Sequence, residues 1–230
     1  MRRLGLDDFL MRTVNLNAVK RILCLGAHAD DIEIGCGGTI LQLTREIPGL
    51  GCTWVVFSGE GGRADEAKLS ATEFLKHASK PEVIVKEFQG SFFPSQERQI
   101  KEFFEELKGM IQPDLIFTHY REDRHQDHRV LSDLAWNTFR DHLILEYEIP
   151  KFDGDLGQPN TFMPLPEATC RHKADSICRF FKSQSSKHWF TPDTFLSLSR
   201  LRGIECASPT KYAEAFYGRK IVLGNFASMS

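Results

Sequence analysis

Two short stretches of this chain carry side chains that can do chemistry together. The first is RILCLGAHADDIEIGCGGTI, from Arg21, in which an apolar run ends abruptly in His28, Asp30 and Asp31. The second is THYREDRHQDHRV, which places His119, Asp123, His125, Asp127 and His128 within ten residues. His and Asp are ordinary ligands for Zn²⁺ and similar divalent metals. His28 and Asp31 are three apart across a turn, close enough to share one ion. Asp30 between them, if not a ligand, stands beside the metal as a free carboxylate able to take a proton from metal-activated water. His125 and His128 are three apart at a helix start and can face one way. One would ligate the metal, and the other would act across the site as proton donor or oxyanion stabiliser. Asp127 is placed to accept a hydrogen bond from an imidazole and fix its tautomer. Alone, HxDD reads first as turn and capping residues, and the second stretch as a polar loop with Asp127 near an N-cap. Three of the chain's eight His in ten residues, together with HADD at a second strand end, favour a metal site. His77, His142, His172 and His188 have no such company and read as structural. Glu33 is open between substrate contact and a solvated or capping role.

These residues need elements to hold them. Apolar β-type runs occur at Arg21–Gly26, Thr53–Ser58, Val83–Phe88 and Leu115–His119. Helical stretches lie between them at Gly38–Glu46, Ala64–Ala78 and Gln96–Met110, the last with Ile100, Phe103, Phe104 and Leu107 at helical spacing. Such alternation predicts an α/β fold: a Rossmann-like, mainly parallel sheet with helices on both faces. Ligands of such sheets bind at the carboxyl ends of the strands, where AHADD, SGEGGR and THYREDRHQDH all fall. A helix is expected from about Asp127 to Arg140, a strand at 142–149, a loop over Pro150–Pro166, helices near Ala168–Ser183 and Pro192–Glu205, and a closing β-type run in KYAEAFYGRKIVLG. The Gly, Pro, Asn and Asp of the long loop predict a turn-rich segment. Its part Phe152–Phe162 is read either as a cover over the site or as a surface turn. Glycines at 35, 37 and 38 suggest a turn before a helix beginning near Thr39. GCGG is not the dinucleotide pattern GxGxxG, and no Walker-type Gly-Lys-Ser/Thr occurs.

The bulk numbers set limits. At 230 residues the chain fits one domain, read as 1–230. A net charge of -2 offers no field for nucleic acid or an anionic membrane. No run of about 18 apolar residues appears, so no membrane span is expected. MRRLGLDDFLMRTV lacks a long apolar core and reads as an arm or short helix, not a signal peptide. The six cysteines form no CxxC pair and read as reduced thiols, which fits a cytoplasmic protein.

The two clusters together resemble the PIG-L/LmbE-like deacetylases, metal-dependent enzymes that remove N-acyl groups, mostly from N-acetylglucosamine-containing molecules. AHADDIEIGCGGT looks like their first motif and HQDH like their second. SGEGGRADEA is similar to their Gly-rich segment with Arg-x-x-Glu, and SQSSKHW and KYAEAFYG resemble their C-terminal half. The resemblance implies His28, Asp31 and His128 as metal ligands and Asp30 as general base. It implies His125 as the group that protonates the leaving amine or stabilises the oxyanion, and Asp127 as its supporting carboxylate. Arg63 is similar to a substrate-contacting Arg, against a plain reading as a surface Arg at a helix start. Zn²⁺ is the implied cofactor, with Fe²⁺ or another divalent ion accepted by the same ligand types. The implied substrate is a small acylated amino sugar or glycoconjugate. The rival readings are an amidase on a thiol–sugar conjugate or natural product, esterase activity at the same metal, and a non-catalytic Rossmann-like binder. Ala29 stands where the family usually has Pro, which costs the turn some stiffness but no ligand.

Overall fold

Side chains alternate across a strand, and the first strand uses both faces. In β1 (Arg21–His28) Ile22 and Cys24 enter one apolar cluster, and Leu23, Leu25 and Ala27 the other. The same division runs through β2 (Gly51–Ser58): Cys52, Trp54 and Val56 against Val55 and Phe57. A strand buried on both faces must be covered by helices on both. The computed structural model describes residues 13–222, so most of the expected N-terminal arm and the end of the closing β-type run lie outside the described residues.

The remaining strands are β3 (Ser79–Val85), β4 (Leu115–His119), β5 (Leu143–Tyr147), β6 (Thr161–Pro164) and β7 (Ala213–Gly218). They form one sheet in the order β3-β2-β1-β4-β5-β7-β6. The first five run parallel; β7 is antiparallel to β5 and β6 antiparallel to β7. The helices are α1 (Asp31–Glu46), α2 (Arg63–Phe74), α3 (Glu97–Met110), α4 (Gln126–Thr138), α5 (Glu167–Phe180) and α6 (Pro192–Glu205). Ile40, Ala71, Ile177 and Phe195 carry α1, α2, α5 and α6 into one cluster, whereas Ile100, Phe104, Leu131 and Ala135 carry α3 and α4 into the other. The expected stripe on α3 is buried in full, at roughly 1.5–3 kcal/mol per large side chain. Thr191 caps α6 by accepting the Thr194 N–H, and Pro192 occupies the first turn. The helix has the expected bounds.

Three expectations are corrected. Helix α1 starts at Asp31, not near Thr39, and Gly35, Gly37 and Gly38 lie inside it. These glycines serve close packing rather than a turn: a Cβ on Gly35 would sit 2.1 Å from the Tyr147 ring, and one on Gly37 2.6 Å from Phe74. The supposed loop 150–166 contains β6, whose four residues pair only with β7 at the sheet edge. Strand β3 begins earlier than its apolar run, because the polar segment 79–82, exposed from Lys80 on, also pairs along the opposite edge, where Pro is tolerated.

Candidate active site

The strand order reverses beside β1, with β2 and β3 on one side and β4 and β5 on the other. The crevice at such a switch point is where open α/β sheets bind ligands. Both polar clusters open into it, one from the end of β1 and one from the loop between β4 and α4.

Three donor atoms meet there. His28 Nδ1 lies 3.2 Å from Asp31 Oδ2 and 3.2 Å from His128 Nε2, and His128 Nε2 lies 3.6 Å from Asp31 Oδ2. Ligand atoms at about 2.0–2.2 Å from one tetrahedral ion stand about 3.3–3.6 Å apart, so this triangle fits a single divalent metal. Each imidazole turns its other nitrogen to a carboxylate. His28 Nε2 is 3.1 Å from Asp127 Oδ2, and His128 Nδ1 is 2.9 Å from Asp123 Oδ2. That partner fixes which ring nitrogen would face an ion bound there. The His28 backbone N–H also donates to Asp31 Oδ2 at 2.6 Å, which locks the turn into α1. Burial alone would raise the Asp31 pKa, but His128, His119 and His28 around it hold the carboxylate well below its usual range.

A second triad shares two of these residues: Asp31, His128 and His119 also offer atoms within reach of one ion. His119 is fully buried at the end of β4 and stacks on His128 with ring centroids 3.8 Å apart. Its Nε2 lies 3.2 Å from Asp31 Oδ2 but accepts the Ala27 backbone N–H at 3.0 Å. A nitrogen whose lone pair takes a backbone amide proton is a poorer metal donor than His28 Nδ1, which among the described residues meets only the other candidate donor atoms, Asp31 Oδ2 and His128 Nε2. His125 completes a third grouping with His28 and His128.

Asp30 sits at the start of α1 with its side chain nearly buried. Its Oδ1 accepts from Arg63 at 2.8 Å. Arg63 is the first residue of α2, and Gly62 before it, at φ +86°, supplies the left-handed turn that swings the chain there. Burial raises the Asp30 pKa while Arg63 pulls it back. His125 caps α4 through Nδ1, which accepts the Asp127 N–H at 3.2 Å. The neutral ring then carries its proton on Nε2, and burial together with nearby His28 lowers its pKa.

All seven sequence-predicted residues therefore gather at one rim. The imidazole that Asp127 holds is that of His28, not His125. The Asp127 carboxylate also accepts the Ser91 and Phe93 N–H groups at 2.5 and 3.1 Å. Three contributors escaped the sequence reading as site members: Asp123 and His119, which were seen but given no role, and Lys151, an isolated Lys in a turn-rich segment that gives no signal. In the loop Phe152–Phe162, Asp155 accepts from Lys151 and the Arg124 N–H, and Asn160 is bonded to Gly218.

The chain matches the family described as PIG-L, GlcNAc-PI de-N-acetylase, over residues 23–139, just over half its length and both clusters. It is 32% identical over 157 residues to the uncharacterized deacetylase YaiS of Escherichia coli K12, covering 63% of this chain and 81% of YaiS. The fold resembles N,N'-diacetylchitobiose deacetylase from Pyrococcus horikoshii, with TM-score 0.64 and 18% identity over 86% of this chain and 83% of that one. It equally resembles GalB, a 4-carboxy-2-hydroxymuconate hydratase from Pseudomonas putida, with TM-score 0.67 and 16% identity over 90% and 100% of the two chains. The architecture thus serves more than one reaction, and it is the sequence match through both clusters that makes this chain a member of the PIG-L de-N-acetylase family.

Proposed function

We propose that the protein is a zinc-dependent N-deacetylase acting on an N-acetylated amino sugar. The observation that carries this reading is the triangle of His28 Nδ1, Asp31 Oδ2 and His128 Nε2 with the Asp30 carboxyl beside it. Two imidazoles and one carboxylate are a borderline donor set that suits Zn²⁺ and also accepts Fe²⁺. The bound ion would supply a Lewis acid that polarises the acyl carbonyl and lets water act as nucleophile at neutral pH.

The chain's own residues would do the rest. Asp30 has Oδ1 tied to Arg63, which leaves Oδ2 to take a proton from the attacking water. A carboxyl whose pKa burial has raised is a better base near neutrality than an ordinary Asp. His125 offers its Nε2 proton to the oxyanion or to the departing nitrogen, because Nδ1 is engaged by the Asp127 amide. Asp127 and Asp123 hold His28 and His128 in the orientation the ion requires. Arg63 positions Asp30 and stands where it can also meet a substrate hydroxyl.

Acetate release by zinc-loaded protein on a panel of N-acetylglucosamine derivatives tests the reading, with Asp30→Asn alongside. The expected outcome is release that falls by roughly 10²–10⁴-fold in the variant while its zinc content stays at the wild-type level. Zinc lost together with activity in Asp30→Asn would sink the base assignment. Release from O-acetyl but not N-acetyl sugars would turn the reading to an esterase.

A further inference from the structure

Ile149 and Pro150 leave the sheet buried, and the next residue does not turn to solvent as a loop Lys would. The Lys151 ammonium lies 2.9 Å from Asp123 Oδ2 and is also hydrogen bonded to Asp155 Oδ2. The three side chains are each less than a tenth exposed. Asp123 is a hub: Oδ2 also meets His128 Nδ1 at 2.9 Å, and Oδ1 accepts the His125 N–H at 2.7 Å. Asp155 accepts the Arg124 N–H at 2.7 Å. One cation therefore joins two carboxylates that together hold the backbone of residues 124 and 125 and the ring of His128.

We propose that Lys151 is a positioning residue of the metal site: it fixes Asp123, through Asp123 the ring of His128, and it latches the segment 150–157 onto the loop that carries His125 and His128. This rests on the reading of His28, Asp31 and His128 as metal ligands. A carboxylate can turn about its last bond. Two nitrogens pulling on Oδ2 and one on Oδ1 leave Asp123 a single orientation, in line with His128 Nδ1. Without Lys151 the Asp123 and Asp155 carboxylates face the same point with no cation between them. Like charges out of water repel strongly. The least costly relief is for Asp155 and its segment to swing outward about the Gly154 turn, at φ +60°. Asp123 would then keep His128 but lose the partner that stops it rotating.

A bland alternative gives Lys151 only the task of neutralising two acids in a surface segment. Zinc affinity separates the two, measured by chelator competition, with thermal melting alongside, on wild type, Lys151→Met, Lys151→Arg and Lys151→Met/Asp155→Asn. Lys151→Met is expected to weaken zinc by about 5–10-fold, below the roughly 10–100-fold cost of removing the carboxylate that itself contacts the ligand. Adding Asp155→Asn removes the like charge and should restore the melting temperature but not the zinc affinity. Lys151→Arg should recover most of the affinity. Lys151→Gln replaces the Met variant, with the same threshold, should that variant not fold. Lys151→Met that holds zinc within twofold of wild type would overturn the proposal, as would a double variant that regains affinity along with stability. Wild-type protein that binds no zinc would overturn the metal reading itself, and the wild-type titration alone reveals that case.

Discussion

Asp127 and Asp123 do the same thing to different histidines, and the way each is itself held differs. Asp127 is held by the backbone: the Ser91 and Phe93 N–H groups grip its two oxygens from the turn after β3, and His28 receives the result. Asp123 is held by the His125 backbone on one oxygen and by the Lys151 side chain, reaching in from a remote segment, on the other. Backbone amides cannot leave without unfolding the turn, whereas a lysine can swing away on a four-carbon stem. The His28 side of the site is therefore built into the sheet rim. The His128 side depends on whether the segment after β5 is seated. One half of the site is fixed and the other is conditional.

Removing the histidines should erase that contrast. His28→Ala and His128→Ala are both expected to lose zinc by more than about 100-fold, beyond the range for an outer carboxylate. Metal content after desalting reads this directly. A variant of either that kept one zinc per chain would show that His119 or His125 supplies the missing donor, since both stand within reach of the same centre.

Removing the carboxylates should sharpen it. Asp127→Asn and Asp123→Asn are each expected to weaken zinc by about 10–100-fold. Only Asp123→Asn should also expose the segment 150–157 to limited proteolysis, because of these two carboxylates it is Asp123 that is bonded to Lys151. Equal protection of that segment in the two variants would remove the distinction between a fixed and a conditional side.

The two histidines should also differ in their protons. In the metal-free protein burial lowers the His28 pKa, but the Asp31 charge and the bonds to Asp127 and Asp31 raise it to about 10. Burial and His119 push His128 down to about 3, against Asp31 and Asp123. Through neutral pH His28 is thus the ring that holds the extra proton. Its raised pKa stabilises the metal-free fold fully below the unfolded value near 6.5, and that contribution is lost as pH rises through about 10. Zinc needs the ring neutral, so binding expels one proton and apparent affinity should rise about tenfold per pH unit between 7 and 9. Calorimetry in buffers of different ionisation heat counts the proton. Release of none would mean that His28 is already neutral when zinc arrives.

What could be read from the sequence follows a different division, between local patterns and remote contacts. The ligand-bearing motifs of both halves were legible: an apolar strand ending in HADD, and HQDH at a helix start, are local patterns whose residues are near one another in the chain. The α/β architecture was legible too, because the strands at the centre of the sheet, β1, β2 and β4, are buried on both faces and read as unbroken apolar runs. The helix start at Asp31 was missed because Gly35, Gly37 and Gly38 look like a turn until Tyr147, Phe74 and Leu165 are seen packed against them. Lys151 was illegible for a different reason. Its partner Asp123 lies 28 residues away, and nothing in a single Lys among turn residues announces a buried ion pair. Strand β6 shares the difficulty, since four residues on an edge carry too little pattern to stand out.

A third carboxylate extends the comparison to its limit. Glu33 is fully buried on α1, one turn beyond Asp30, and neither oxygen has a hydrogen-bond partner among the described residues. The Ser70 hydroxyl lies beside it but not in bonding geometry. Where Asp127 is held by amides and Asp123 by a cation, Glu33 has neither among the described residues, and burial drives its pKa well above the usual range. A raised acid pKa has a definite sign. The folded state keeps the proton that the unfolded chain gives up above about pH 4.3, so stability declines as pH rises from there toward the folded value. Glu33→Gln has no proton to lose and should flatten that slope. The gap between the two proteins should widen steadily as pH rises, each kcal/mol of it reading as about 2–4 °C in Tm for a chain of this size. Melting curves from pH 5 to 8 are enough. A wild-type slope that persists unchanged in the variant would mean that Glu33 finds a partner in solution, and the series of amide-held, cation-held and unheld carboxylates would lose its last member.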